Sequence, residues 1–471
     1  MNILPDFKSA RKRLLKTSFK EYLMDPSFKE IGKGKTYFIK TYGCQGNLSD
    51  TEKIRGLLES ARFKEVPLEE LADVLIFNTC AIRENAEKRV IGEIGRLKTL
   101  KTNNRDMVII LMGCMSQEEG VVSLITKKYP QVDIIMGTHN IHNLLPNIKA
   151  YYDSHKRLIE VLSLEGEIVE NIPKLRDHPF KAWVDIMYGC DEFCTYCIVP
   201  LTRGKQRSRK SEEIVKEVKD LVKQGYKEVT LLGQNVNAYG LDIGEKFSEL
   251  LEKLSQTGIE RIRFTTSHPR DLDKATMDVM GKYKNIMPHL HLPVQSGSNK
   301  ILKLMNRKYT KEEYLEKINY LKKVVPGISI TTDIIVGFSQ ETEEDFLETL
   351  DLVKWVDFEG AYTFIYSKRS GTPGASFKGE VDPGTQKKRL FRLNELINEG
   401  FKKGHLRFLG KTVKVLVEGV SGKNKEFLTG HSEHNKVVNF KGDRSLIGKT
   451  VDVKIEKAFT WHMLGKIISK E

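Results

Sequence analysis

Three times before residue 120 the chain runs a strand-like apolar segment into a cysteine and then into a helical pattern. TYFIKTYGC ends at Cys44, DVLIFNTC at Cys80 and MVIILMGC at Cys114. After the first, Ser49 and Glu52 form a capping-box pattern ahead of a helix carrying Ile54, Leu57 and Leu58. After the second, Val90, Ile91, Ile94 and Leu97 keep helical spacing, and SQEEGVVSLITKKY follows the third. Strands alternating with helices pair in parallel through right-handed crossovers. All three strand C-termini then lie along one sheet edge, and three cysteines far apart in sequence come together. Burial alone accounts for one strand-end cysteine more readily than for three.

A second series supplies the strand-like segments AWVDIMYGC, EVTLLGQN, RIRFTTSHP, MPHLHLPVQSG, ISITTDIIVGF and GAYTFIYS. Helical patterns such as EEIVKEVKDLVKQ and EEDFLETLDLVKWV separate most of them. Six strands are two short of a closed eight-stranded barrel. The expected fold is an open, partial βα barrel with its working face at the strand C-termini, by analogy with complete barrels. From about residue 408, KTVKVLVEG, EFLTGHS, KVVNFKG and TVDVKIEKAF are short strands without helices between them, which suggests a small OB-like all-β barrel. The whole reads as α/β with five parts. Residues 1–32 are a basic extension in which Leu15, Phe19, Tyr22 and Leu23 could share a helical face, read as an extension lying on the surface or a frayed tail. Residues 33–150 are the parallel-sheet domain, and 151–175 a connector with a hairpin-like LIEVLSLEGEIVENIP. Residues 176–406 are the barrel and 407–471 the β module.

Lys and Arg number 77 against 63 Asp and Glu, a net charge of +14 that favours a polyanionic partner. Six of the surplus charges fall in the final module, and basic OB-like barrels commonly bind oligonucleotides. No apolar run approaches the ~20 residues that span a bilayer, and the N-terminus lacks the apolar core of a secretory signal. A cytosolic chain with no membrane contact is expected. Six cysteines are too few for a disulfide scaffold of this length.

Cys190, Cys194 and Cys197 follow a strand in the loop GCDEFCTYC. Zinc sites take four ligands in paired spacing, and no second Cys or Cys/His pair lies nearby. A 4Fe–4S cluster held by three cysteines keeps one iron without a protein ligand, open to a substrate or cofactor. The segment GCDEFCTYCIVPLTRG resembles the motif of the radical S-adenosylmethionine (SAM) enzymes. TYGCQGN, NTCAIRENAEKRV and LMGCMSQEEG resemble the N-terminal domain of the methylthiotransferases within that superfamily, and the last module resembles their TRAM domain. The order and spacing match from about Lys33 onward. LLGQNVNAYG, SHPRDL, HLPVQSGSNKILKLMNRKYT and TTDIIVGF are closest to the MiaB-type branch.

The resemblance implies two 4Fe–4S clusters, an auxiliary one on Cys44, Cys80 and Cys114 and one that binds SAM on Cys190, Cys194 and Cys197. Reductive cleavage of SAM then yields a 5′-deoxyadenosyl radical. It implies methylthiolation of N6-isopentenyladenosine at position 37 of tRNA, with SAM as methyl donor and radical source. The partners implied are a tRNA anticodon stem-loop, a small flavodoxin-like electron donor and an unspecified sulfur donor. Rival expectations are the same chemistry on threonylcarbamoyladenosine or a ribosomal-protein aspartate, and a metal-dependent RNA-binding protein without catalysis.

On the working face, Gly233, Gln234, Gln295 and Ser296 are candidates for SAM contact. Arg203, Asn235, Asn237 and Tyr239 are candidates for substrate or RNA contact, although such loop residues also cap turns. Tyr188, Phe338 and Tyr362 are apolar candidates for the prenyl group. Lys205, Arg207, Arg209 and Lys210 form a basic run suited to an RNA backbone or a solvated face. His268, His289 and His291 lack ligand spacing and are expected to be structural. Two departures from the family stand out: Gly46 replaces the usual Met beside a cysteine, and Ser339-Gln340 replaces a usual Pro-Gly.

Overall fold

The computed structural model of the chain describes residues 7–12, 17–81, 84–161 and 167–468. The first βα series forms one six-stranded sheet. Its order is Lys64–Glu65, Thr36–Thr41, Val74–Thr79, Val108–Gly113, Ile134–Met136 and Leu158–Glu160, with every neighbouring pair parallel. The strands Val74–Thr79 and Val108–Gly113 are buried along their whole length, as unbroken apolar runs must be when helices cover both faces. Ile54, Leu57 and Leu58 pack on one face of the sheet, and Val90, Ile94 and Leu97 on the other. The register sets Thr41 beside Asn78 and Thr79 beside Gly113, so the chain leaves all three strands at one edge.

The second series gives the strands Lys181–Asp185, Glu228–Leu232, Arg261–Phe264, His289–His291, Ser329–Val336 and Ala361–Ile365, side by side in sequence order and parallel where they pair. A single parallel bridge, Ile262 to Ile286, continues from the third toward the fourth. Among the described residues the first and last strands do not pair, so the barrel stays open.

Five strands close the C-terminal barrel in the order Thr412–Val420, Phe427–Ser432, Val437–Lys441, Met463–Ile467 and Thr450–Ala458. The strand Met463–Ile467 was not among the four expected. This module docks on the N-terminal ends of the larger barrel's strands. Arg263 Nη2 donates to Ser432 O at 2.8 Å and Arg261 Nη1 to His431 O at 2.9 Å. Lys181 pairs with Glu418 at 2.9 Å, and Lys436 with Glu359 at 2.8 Å.

Two expectations are corrected. The N-terminal segment forms no single helical face: the helix Phe7–Lys12 buries Ala10 and sets Phe7 edge-on to Phe193, with ring centroids 5.2 Å apart, while the strand Ser18–Glu21 lies exposed on the surface. Phe19 lies in the strand Ser18–Glu21, not on a helix, while Leu15 falls outside the described residues. The connector is not a hairpin. Leu158–Glu160 joins the first sheet, and Glu167–Glu170 pairs in parallel with Ser18–Glu21. Residues 162–166 between them lie outside the described residues.

Candidate active site

The sheet edge gathers Cys44, Cys80 and Cys114. Cys80 and Cys114 follow directly on their strands, while Cys44 is the residue before the helix Gln45–Ser60. Two asparagines lock the edge. Asn47 Nδ2 donates to Asn78 Oδ1 at 3.2 Å and Thr79 O at 3.1 Å, and Asn78 Nδ2 donates back to Asn47 O at 2.8 Å. Gly113 has φ +100°, and a Cβ there would lie 2.5 Å from Thr79 O, so only glycine lets the strand end approach its neighbour. Burial pushes the Cys114 thiol up to about 12. The Arg203 guanidinium works against this, while Cys80 and Cys44 add to it. Arg203 Nε donates to Cys114 Sγ at 3.0 Å, and its Nη2 to Asp50 Oδ2 at 2.7 Å.

Cys190, Cys194 and Cys197 sit at the C-terminal end of the first barrel strand, in a loop clamped on several sides. Gly189 N donates to Gln234 Oε1 at 2.6 Å, Asn306 Nδ2 to Phe193 O at 2.9 Å and Thr195 N to Met305 O at 3.0 Å. Burial pushes the Cys197 thiol up to about 12, with Cys194 acting in the same direction. Arg307 Nη1 donates to Cys194 Sγ at 3.4 Å while its Nη2 is tied to Pro293 O at 2.8 Å. Each cysteine group therefore has one buried arginine against a sulfur. Neither this pairing nor Asn47, Asn78 and Arg307 emerged from the sequence, although all of them lie in or beside segments that carried the resemblance.

The other candidates fall into two sets. Asn235 Nδ2 donates to Asp271 Oδ2 at 2.6 Å, and Asn237 Oδ1 accepts from His268 N at 2.9 Å. Their other amide atoms, with Gln295 Oε1, Glu192 Oε2, Ser267 Oγ and His268 Nε2, are buried without a hydrogen-bond partner among the described residues, although His268 Nε2 and Glu192 Oε2 lie 3.7 Å apart. These orphaned atoms come from the loops at the C-terminal ends of the barrel strands and suit a polar ligand. Glu192, His268 and Asp271 also bring ligand-type atoms within 4.8 Å of one another, a grouping that spacing alone did not show. Arg270 already pairs with both acids, and burial first, then Arg307, Arg270, Lys308 and Lys317, depress His268, so the surroundings oppose a further cation.

The second set is structural. Tyr239 is 1% exposed, its hydroxyl between Arg209 O and the Glu245 carboxylate, each at 2.8 Å. It locks the loop from within the core and does not face a substrate. Ser296 is fully buried against Thr349, and a Cβ on Gly233 would strike Met187. Arg203 is buried and occupied by Asp50 and Cys114, which leaves it no face toward RNA. Of the basic run, Arg207 and Arg209 are also buried, with Arg209 bonded to Glu170 and Glu217, so they are neither a solvated face nor an RNA track. Tyr188, Phe338 and Tyr362 do not converge. Tyr188 meets Lys53, Phe338 packs behind the cysteine loop on Tyr366, and Tyr362 is 62% exposed on the edge strand. Gln340 takes φ +68°, so the turn survives without the family's glycine at a cost of about 1 kcal/mol.

Family models match in three places: the Radical SAM superfamily over residues 184–353, Uncharacterized protein family UPF0004 over 36–137, and the TRAM domain over 406–468. The chain is 52% identical to the tRNA-2-methylthio-N(6)-dimethylallyladenosine synthase of Oceanobacillus iheyensis, an alignment covering 98% of this chain and 90% of that one. The chain belongs to this family of radical SAM methylthiotransferases. The enzyme of the same name from Bacillus subtilis is 50% identical, over 99% of this chain and 93% of its own length. Among solved structures, the radical SAM methyltransferase TsrM from Kitasatospora setae, with cobalamin and a 4Fe–4S cluster bound, superposes with a TM-score of 0.52. It shares 13% identity over 72% of this chain and 77% of that chain, a likeness of fold.

Iron–sulfur clusters and SAM, the cofactors of this family, fit what the two cysteine groups offer. Each group presents three thiols close enough to disfavour one another as thiolates, so a polyvalent cationic centre is the natural balance. No helix among the described residues is long and apolar enough to cross a membrane.

Proposed function

We propose that this chain converts N6-isopentenyladenosine at position 37 of tRNA to its 2-methylthio derivative in the cytosol. It would hold one 4Fe–4S cluster on Cys44, Cys80 and Cys114 and another on Cys190, Cys194 and Cys197. The observation that carries this reading is the full-length identity of about half to enzymes of that name, in a chain whose six cysteines fall into two groups of three. A cluster held by Cys190, Cys194 and Cys197 would supply the electron that cleaves a bound SAM into methionine and a 5′-deoxyadenosyl radical, and a further SAM would be the methyl donor.

The chain's own residues do the positioning. Gln234 holds the Gly189 backbone at the start of the cysteine loop, and Asn306 and Thr195 hold its middle. The free amide atoms of Asn235, Asn237 and Gln295 point to contacts with SAM or the target base. The tRNA would be gripped by the basic C-terminal barrel, and electrons would arrive from a small flavodoxin-like protein.

The test is single-turnover product formation by anaerobically reconstituted protein, read by mass spectrometry of nucleosides. Prenylated, unprenylated and threonylcarbamoylated tRNA are compared. Product on prenylated tRNA alone is expected. A preference for the threonylcarbamoyl form, or equal rates with and without the prenyl group, would overturn the substrate assignment.

A further inference from the structure

Arg203 leaves the backbone six residues after Cys197, yet its guanidinium lies among the thiols of the other domain. It is 7% exposed. Its Nε donates to Cys114 Sγ at 3.0 Å and its Nη2 to Asp50 Oδ2 at 2.7 Å. A Cβ built on Gly46 would lie 3.6 Å from Cys44 Sγ and 3.9 Å from Arg203 Nη2, and Cys44 is among the groups whose charge acts on the guanidinium. The segment is pinned next to it, where Thr138 Oγ1 of the first domain donates to Thr202 O at 2.7 Å.

We propose that Arg203 is a positioning residue that raises the reduction potential of the cluster on Cys44, Cys80 and Cys114, with Asp50 as its counterweight. This rests on the reading that these cysteines hold a cluster. One-electron reduction adds one negative charge to such a centre. A cation donating an N–H to a ligand sulfur stabilises that charge, and a neighbouring carboxylate opposes it. Because Arg203 belongs to the segment that follows the barrel cysteines, the potential of one centre depends on the placement of the other centre's loop.

The test uses the full-length chain with Cys190, Cys194 and Cys197 replaced by Ala, loaded anaerobically with iron and sulfide. The midpoint potential is read by redox titration followed by electron paramagnetic resonance. In this background Arg203→Met is expected to lower the potential by at least 59 mV, a tenfold change in reduced to oxidised ratio at fixed poise. Asp50→Asn is expected to raise it, and Arg203→Lys to fall between the parent and Arg203→Met. A merely structural contact would not give shifts of opposite sign. Potentials that stay put, or that move the same way in Arg203→Met and Asp50→Asn, overturn the proposal. If Arg203→Met alone loses iron, Asp50→Asn and Arg203→Lys decide; loss of iron from all three also overturns it. A parent chain that fails to bind about four irons refutes the cluster reading instead.

Discussion

Replacing Asp185 with Asn should loosen the contact between the sheet domain and the barrel. Lys53, on the helix Gln45–Ser60, meets Asp185 at the end of the first barrel strand with Nζ 2.9 Å from Oδ2. Ser49 Oγ donates to the same carboxylate oxygen at 2.7 Å. Lys53 is 4% exposed and Asp185 6%, so water screens neither. Without the carboxylate charge, the ammonium's other polar neighbours among the described residues are Asp50 at 3.6 Å, already engaged by Arg203, and the Tyr188 hydroxyl at 3.4 Å. Removing one partner of a buried pair costs about 3–5 kcal/mol; the remaining neighbours favour the lower end, about 3 kcal/mol. Hydrogen exchange in peptides from 45–60 and 181–185 should then speed up by roughly a hundredfold, at ~1.4 kcal/mol per decade. The Lys53→Met, Asp185→Leu double variant, which buries an apolar pair instead, should stay near the parent. Exchange in Asp185→Asn within threefold of the parent, or a double variant as fast as the single, would refute the reasoning. The pH dependence has the same origin. Burial pushes the Asp185 carboxyl up, but Lys53 overrides it and holds the group down at about 2. Its stabilisation is complete above about pH 4 and is lost as the pH falls toward 2, an effect of roughly 2 kcal/mol.

The two cysteine groups should separate functionally. Cys194→Ala should abolish 5′-deoxyadenosine formation, while Cys80→Ala should leave some SAM cleavage but no methylthio product; product from Cys80→Ala would contradict the role given to the first group. Reconstituted parent should hold about eight irons per chain, halved by replacing Cys190, Cys194 and Cys197 together; one zinc and no sulfide would refute both clusters. Deleting residues from 408 should weaken tRNA binding and flatten its salt dependence, with SAM cleavage retained; unchanged affinity would remove the module from RNA binding. Gly113→Ala forces a Cβ to within 2.5 Å of Thr79 O at φ +100°; a loss of about 2 kcal/mol or more and reduced iron loading on the first group are expected by calorimetry and iron assay.

What could be read from the sequence was periodic or covalently local. The three strand-end cysteines converge because each closes an apolar run, and parallel pairing leaves such ends nowhere else to go. The six barrel strands were legible for the same reason. Residues whose roles depend on distant partners were not. Arg209 sits in a run of basic residues that looks solvated, but Glu170, far upstream, and Glu217 bury it. Ser18–Glu21 has no alternation to mark it and becomes a strand only beside Glu167–Glu170. Tyr239 lies in a polar loop whose neighbours gave no sign that its hydroxyl closes the loop onto Arg209. Met463–Ile467 is short and interrupted by Gly465, which hid the fifth strand of the last barrel.

The C-terminal barrel rests on the N-terminal ends of the strands, while the cysteines occupy the C-terminal ends. The longest strand of the larger barrel, Ser329–Val336, has eight residues and so measures about 26 Å at ~3.3 Å per residue. Strands in such barrels tilt by about 36°, so an RNA touching the basic module while presenting a base to the cysteines must pass a wall about 21 Å deep around the outside of the barrel. The separation acts as a lower limit on substrate length. A free nucleoside can occupy one end or the other, and only an RNA long enough to pass around the barrel wall can engage both at once.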